Sequence, residues 1–353
     1  MFEPAVTPGS AWLRDLEQRA EKTLDGAVFD WLVGGSGREE SLASARQAWT
    51  DVLLSPDAGV DVSVVDTSTT LLGTPVSAPV GVAPTGFHGL VHEQAEAATS
   101  RACDAADLLF VLSSRASLPF ADAVQPESAW WFQPYVMRDR KITEDQVRAA
   151  AALGASALVL TVDAPVLASR RQSRDASLVS PQMLAVNAAD VADAAELEQS
   201  STVTARDVGW LAGLSDRPVI VKGVTRPDTA MTFVGEGAAA IWVSNHGGRQ
   251  LDGCVPPARA LPQVVDRVGD LAEVYVDGGI RSGVDVLRAL ALGARAAFVG
   301  RPPLLGLAVA GESGVSDAMG RLVDEFRVAM QLAGRTRVSM IGRDLVWAGS
   351  DAI

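Results

Sequence analysis

Eight short apolar runs recur along the chain, each closed by a small or polar residue: "VGVAP" (80–84), "LLFVLSS" (108–114), "WWFQPYV" (130–136), "ALVLTVD" (157–163), "PVIVKGV" (218–224), "AIWVSNH" (240–246), "EVYVDGG" (273–279) and "AAFVGRP" (296–302). Between most of them the pattern changes to apolar residues at i, i+3 and i+4, as in "TEDQVRAAAALGA" (143–155) and "SGVDVLRALALGA" (282–294). Near-continuous apolar strands are buried on both faces, and their alternation with amphipathic helices predicts a parallel sheet. Eight such units predict an α/β chain folded as a closed (β/α)8 TIM barrel rather than an open sheet.

Two stretches fall outside the repeat. The first 75 or so residues precede the barrel, and "DLEQRAEKTLDGAVFDWLVGG" (15–35) predicts two helical pieces ending at glycines. Strands four and five are about 55 residues apart, and the stretch between them includes the acidic, Ala/Asp/Ser-rich "LAVNAADVADAAELEQSST" (184–202). A mobile excursion over the barrel rim, either a lid or a partly disordered loop over 172–206, is expected there. The chain is read as one domain, 1–353, with residues 1–75 as an extension of the barrel.

The composition, 48% hydrophobic and 21% charged, fits a globular chain. A net charge of −13 at pH 7 opposes nucleic-acid or anionic-membrane binding through the overall field, so any anionic ligand needs a local cationic cluster. Cys103 and Cys254 lie far apart and form no CxxC motif, which suggests reduced thiols. With no membrane-length apolar run and no signal-peptide order at residues 1–22, a cytoplasmic location is expected.

In such a barrel the chemistry gathers where strands end. Those ends carry Pro84 and Thr85, Ser113 and Ser114, Gln133 and Tyr135, Thr161 and Asp163, Lys222, Ser244 and His246, Asp277 with Gly278 and Gly279, and Gly300 with Arg301. Each alone is an ordinary turn former. All of them on one rim point to a site. The glycines of "DGGIRSG" and "GRP", with Arg281 and Arg301, suit a phosphate held by backbone amides and guanidinium forks. Lys222, Gln133, Thr161 and Ser113 suit the edge of a planar heterocycle, and "GGSGREE" (34–40) lacks the strand–GxGxxG–helix context of a dinucleotide fold. Flavin mononucleotide (FMN) fits both demands.

His246, one of three histidines, ends the sixth strand, with Arg249 three residues on. Asp163 from another strand can hold its imidazole, which makes His246 a candidate general base and Arg249 a carboxylate anchor. His88 and His92 at i, i+4 could share a helix face as metal ligands, but no carboxylate completes a site, and a turn and a helix start suffice to explain them. No metal is expected.

These residues resemble the FMN-dependent 2-hydroxy acid oxidases and dehydrogenases, a family that includes glycolate oxidase, lactate oxidase and mandelate dehydrogenase. "SNHGGRQLD" (244–252) is the most specific motif, supported by "APTG", "FQPYV", "TVDAP", "VIVKGV", "DGGIRSG" and "ALGARAAFVGRP" over roughly residues 15–335. The resemblance implies a barrel that assembles as a tetramer and oxidises an (S)-2-hydroxy acid to the 2-oxo acid, passing two electrons to the flavin by a hydride or a carbanion route. It implies that His246 is the base with Asp163 as its partner, that Arg249 and Arg170 clamp the substrate carboxylate, and that Tyr135 hydrogen-bonds the substrate. Lys222 would lie beside flavin N1 and O2. Pro84, Thr85, Gly86, Ser113, Gln133, Thr161, Ser244, Asp277, Gly278, Gly279, Arg281, Gly300 and Arg301 would complete the FMN site.

The chain departs from the family at four places. Trp31 in "VFDWLVGGSG" stands where most members have a substrate-binding tyrosine, and this stretch is most similar to the 4-hydroxymandelate oxidase branch. An aryl side chain packing on Trp31 is the expectation, against a tryptophan that fills space and selects a small substrate. Arg115 replaces a tryptophan after "LSS" and is expected either to meet a second anionic group of the substrate or to point into solvent. The loop "RRQSRDASLVSP" (170–181) lacks the family's spacing, leaving Arg170 or Arg171 as the clamp. Gly86 stands where many oxidases have alanine, as in the mandelate dehydrogenase branch. Oxygen is the expected acceptor. The competing expectations are a dehydrogenase with another acceptor, a biosynthetic FMN enzyme acting on a modified substrate, and a flavin protein without turnover.

Overall fold

A computed structural model describes residues 11–125, 127–166, 168, 178–188 and 194–347. Eight strands form the barrel: β3 (Val80–Val82), β4 (Leu109–Ser113), β5 (Trp130–Gln133), β6 (Leu158–Thr161), β7 (Val219–Val224), β8 (Ala240–Val243), β9 (Glu273–Val276) and β10 (Ala296–Val299). They pair in sequence order and close through β10 on β3. Each falls inside one of the eight predicted runs, and the parallel pairing follows from the helical crossovers between them.

The barrel is filled, not hollow. Trp131, Trp242, Tyr275 and Phe298 point inward and are fully buried, with Trp242 and Phe298 ring centroids 4.0 Å apart and Trp131 and Tyr275 5.3 Å apart. A hairpin of β1 (Thr69–Leu71) and β2 (Thr74–Val76), which the sequence pattern did not predict, adds Leu71 and Val76 to this inner cluster from the far end of the barrel. Polar chemistry is thereby confined to the opposite mouth, where the strands end.

The extension forms α1 (Ala11–Thr23) and α2 (Gly26–Val33), the two expected pieces, and a further helix α3 (Glu40–Thr50). Asp25 caps α2 by accepting from the Ala27 amide. Among the barrel helices, the predicted 143–155 segment is α6 (Arg140–Ala152), which starts earlier because Asp139 accepts from the Lys141 amide as its N-cap. The 282–294 segment is α11 (Gly283–Ala291), capped by Ser282. The last strand leads into the long α12 (Arg301–Leu332), kinked at Ala310 and Gly311.

The described part of the excursion after β6 is docked. Its short helix α7 (Pro181–Ala185) packs through Leu184 and Ala185 with Tyr135, Met137, Ile142 and Leu197. The Asn187 amide group accepts from the Phe120 backbone and donates to the Leu118 carbonyl, and the Arg138 and Ser200 amides donate to Glu198 and Val136 carbonyls.

Candidate active site

The polar strand ends converge as predicted. At the ends of β4 and β5, Ser113 Oγ donates to Gln133 Oε1 at 2.9 Å, while Gln133 Nε2, buried, has no partner. An orphaned amide donor in the barrel mouth costs free energy unless a ligand supplies an acceptor. The edge of a flavin ring, with its carbonyl oxygens and ring nitrogens, is such a ligand. Thr161 closes β6 beside Lys222 of β7. Lys222 Nζ donates to Ser244 Oγ at 3.0 Å and pairs with Asp277 Oδ2 at 3.1 Å, and it stands 5.6 Å above the Trp242 ring. Burial alone pushes the ammonium towards neutrality, but Asp277 and Asp163 reverse this and hold its pKa above the ordinary value. A fixed cation on an aromatic floor is suited to a ring that gains negative charge on reduction. These residues fit FMN.

The candidate base is positioned by an unusual backbone. His246 follows β8 in the left-handed region (φ 57°), and Gly247 and Gly248 continue it. Gly248 is required: a Cβ there would stand 2.8 Å from the Leu42 amide nitrogen of α3, at φ +73°. This coil turns the imidazole back over the mouth, where Nδ1 lies 2.9 Å from Asp163 Oδ1. Burial raises the Asp163 carboxyl, but His246 and then Lys222 outweigh it, so the carboxyl titrates below its ordinary 3.8. An ionised carboxylate only accepts, so Nδ1 carries the hydrogen and Nε2 is the free basic nitrogen. Because the folded carboxyl titrates below the free one, its stabilising contribution is complete above the ordinary value and is lost as acid carries it through the folded pKa.

Asp163 reaches His246 because of Gly223. The glycine forms a bulge in β7 (φ 103°), where the register with β8 shifts between Lys222 and Val224. A Cβ on Gly223 would stand 2.5 Å from Asp163 Cγ. Gly223→Ala is therefore expected to displace the carboxylate and to lose about 1–3 kcal/mol through backbone strain. Denaturant unfolding measures the loss, and a parallel fall in turnover locates it at the His246–Asp163 pair.

Beyond β9 and β10 lies an arginine cluster. Arg301 heads α12 after Gly300 and donates to the carbonyls of Leu32 (3.1 Å), Gly247 (3.0 Å) and Gly34 (2.7 Å). Arg281, after Gly278 and Gly279, is pushed down to about 9 by burial and then by Arg46, and Arg301 is depressed by burial and by Arg249, Arg281 and Arg46. The acidic neighbours that oppose this are Glu17 and, for Arg281, Asp285. A cluster so short of negative charge is suited to an anion such as a phosphate. Inorganic phosphate is thus expected to raise the Tm of FMN-free protein by several degrees. Saturation at 100 times Kd corresponds to about 2.7 kcal/mol, and a scan against phosphate and chloride at matched ionic strength measures it.

Sequence reasoning missed Arg46. It lies on α3 three residues before Trp49, which is fully buried and donates from Nε1 to the Gly278 carbonyl at 2.8 Å. An arginine one turn from the tryptophan that docks the helix was the available signal. His88 was read as structural, and it is: Nε2 meets Thr85 Oγ1 at 2.6 Å, Nδ1 meets Thr99 Oγ1 at 3.1 Å, and burial lowers its pKa. It fixes Thr85, next to Pro84 on the rim. His92 lies just before α4 (Ala95–Asp104), and among the described residues no histidine, cysteine or carboxylate group is arranged to hold a metal.

Of the residues expected on the substrate side, Arg115 and Arg249 both interact electrostatically with Tyr135. Its hydroxyl is raised by burial and then by Asp163, against Lys222, Arg115 and Arg249, so it is a neutral donor. Arg249 Nη1 donates to the carbonyls of Trp31 at 2.7 Å and Gly34 at 3.1 Å, and its guanidinium lies 5.3 Å from the Trp31 ring. Trp31 of α2 therefore lies beside Arg249. Arg115 is half-buried and turned towards the docked excursion: Nη2 donates to the Leu197 carbonyl at 2.5 Å. The space of a methyl at Gly86 is taken by Arg115, whose Cβ would be 2.8 Å away. Arg170 and Arg171 lie outside the described residues.

Comparison with known proteins agrees with this geometry. The model of the FMN-dependent dehydrogenase family matches residues 20–348. L-lactate oxidase of Nostoc sp. is 38% identical over 349 residues, covering 93% of this chain and 96% of that protein. 2-Hydroxyacid oxidase 1 of Homo sapiens is 37% identical and covers 97% of each chain. A crystal structure of mandelate oxidase with (S)-4-hydroxymandelic acid superposes with a TM-score of 0.86 at 36% identity, covering 95% of this chain and 98% of that one. A second, with (S)-2-phenylpropionate, also gives 0.86 at 37% identity, over 95% and 97%. With the fold, the rim and the relatives in agreement, this chain is an FMN-dependent 2-hydroxy acid oxidase and belongs to the FMN-dependent dehydrogenase family.

Proposed function

We propose that the substrate is a mandelate-type (S)-2-hydroxy acid with an aryl side chain, and that oxygen is the final electron acceptor. The observation that carries the aryl reading is Trp31, whose indole lies against Arg249. A ligand whose carboxylate is held by Arg249 has its side chain within reach of that indole, and flat apolar surfaces pack there at little entropic cost. The mandelate oxidase structures are similar in fold over nearly the whole chain, which supports the same reading.

The residues divide the work. Arg249 fixes the C1 carboxylate, and Tyr135 donates a hydrogen bond to the substrate. Together they hold C2 in one orientation, an entropic advantage. His246 Nε2 takes the proton released as the hydroxy acid becomes an oxo acid, and Asp163 stabilises the imidazolium through Nδ1. Bound FMN supplies the two-electron acceptor. Lys222 presents its ammonium to the side of the site where negative charge accumulates.

The test is anaerobic mixing of the holoenzyme with (S)-mandelate, (S)-4-hydroxymandelate, (S)-lactate and glycolate, followed by admission of air. Bleaching of the flavin band by the aryl acids and fast recovery in air is the expected result. Turnover of lactate or glycolate alone removes the aryl reading, and slow recovery removes oxygen as acceptor.

A further inference from the structure

Arg115 is a half-buried cation at the barrel mouth with no carboxylate partner among the described residues. Its Nη2 is engaged by the Leu197 carbonyl and lies 3.6 Å from Met137 Sδ. Nη1 and Nε have no hydrogen-bond partner among the described residues, and no carboxylate there pairs with the group. A guanidinium offers five N–H donors in a planar fork, and since neither Nη1 nor Nε is a buried orphan, their donors are open to a ligand that enters the mouth. The backbone holds the fork in place: the Arg115 amide donates to Ser113 Oγ at 3.2 Å, and the Phe87 amide donates to the Arg115 carbonyl at 2.9 Å. Gly86 permits this approach, since a side chain there would collide with Arg115 Cβ.

The position matters as much as the missing partner. Tyr135 feels the charges of both Arg115 and Arg249, so the two guanidiniums act on one phenol. Arg249 and His246 take the carboxylate and the hydroxyl of a 2-hydroxy acid. Arg115 follows β4 with its amide on Ser113 of the rim, and the Leu197 that its fork holds packs in one cluster with Tyr135.

We propose that Arg115 receives a second carboxylate, at the end of the substrate side chain, so that the preferred substrate is a 2-hydroxy acid with a carboxylate-bearing side chain. This rests on the 2-hydroxy acid chemistry of the site and not on the aryl reading. It assigns the free face of the fork, Nη1 and Nε, to the ligand and Nη2 to the docked excursion.

The experiment reads binding without turnover. Holoenzyme is titrated with 2-oxo acids in matched pairs, 4-carboxybenzoylformate against benzoylformate and 2-oxoglutarate against 2-oxohexanoate, following the perturbation of the flavin spectrum. The wild type is expected to bind the dicarboxylate of at least one pair about ten- to hundredfold more tightly, the fold-change of a charge-assisted hydrogen bond. Arg115→Met is expected to abolish that ratio, and Arg115→Lys to keep part of it. Equal binding within both pairs by the wild type overturns the proposal, as does a ratio that survives in Arg115→Met. If the methionine variant does not fold because Leu197 loses its donor, the wild-type ratio and the lysine variant still decide. Failure of the aryl reading shows separately, as a preference for the aliphatic pair or as absence of bleaching by mandelates.

Discussion

Replacing His246 by glutamine is expected to lower the anaerobic rate of flavin reduction by about 10²- to 10⁴-fold, with FMN still bound. Glutamine can donate to Asp163 Oδ1 as Nδ1 does now at 2.9 Å, so the carboxylate keeps a partner. It has no basic nitrogen to receive the substrate proton. The binding of a 2-oxo acid, which carries no proton for the base, should change far less than the rate. Stopped-flow reduction at saturating substrate measures the first quantity and spectral titration the second. A glutamine variant that reduces its flavin within a few-fold of wild type removes His246 from the proton transfer.

The second large effect belongs to Lys222→Met. Lys222 is 4% exposed and its side chain neutralises Asp277, which also accepts from Ser244 Oγ at 2.5 Å. Methionine has similar length and leaves a buried carboxylate with one hydroxyl donor. Breaking a buried pair in this way costs about 3–5 kcal/mol, so the variant is expected to unfold at markedly lower denaturant concentration. It should also purify with little FMN, because the ring loses its cation. The double variant Lys222→Met, Asp277→Asn separates these effects: it removes the orphaned charge and should recover stability, while FMN affinity stays low. Recovery of both would place the lysine in the scaffold alone.

The barrel was legible because its strands are buried on both faces. Runs such as "ALVLTVD" and "AIWVSNH" are nearly uniformly apolar until the residue where the strand meets the rim. The hairpin at the barrel floor was not legible: its strands are three residues each, too short to show a period, and Pro75 interrupts the second. Candidate site residues at strand ends were found by position alone. Arg46 was hidden because its role comes from how α3 docks, through Trp49 and the Gly248 turn, and no local pattern encodes a docking angle. The excursion read as mobile because its composition is polar and small, yet its described part is held by tertiary hydrogen bonds at Asn187, Leu197 and Glu198, which leave no periodic trace. The turn of Arg115 towards the docked excursion is the clearest case: nothing near it in sequence distinguishes a solvated arginine from one held by a carbonyl 82 positions away.

The contacts between Arg301 and the carbonyls of Leu32 and Gly34 join two parts of the chain that the barrel itself does not connect. Arg249 bonds the same stretch, and the Ser36 amide donates back to the Gly248 carbonyl at 2.9 Å. The end of α2 thus walls the arginine cluster that is the candidate phosphate cradle. Local opening of a chain segment is less costly than global unfolding, so the lifetime of bound FMN should be set by how often this wall swings away. Protease cleavage between α2 and α3 and cofactor escape would then share one rate, and a ligand that slows the first will slow the second.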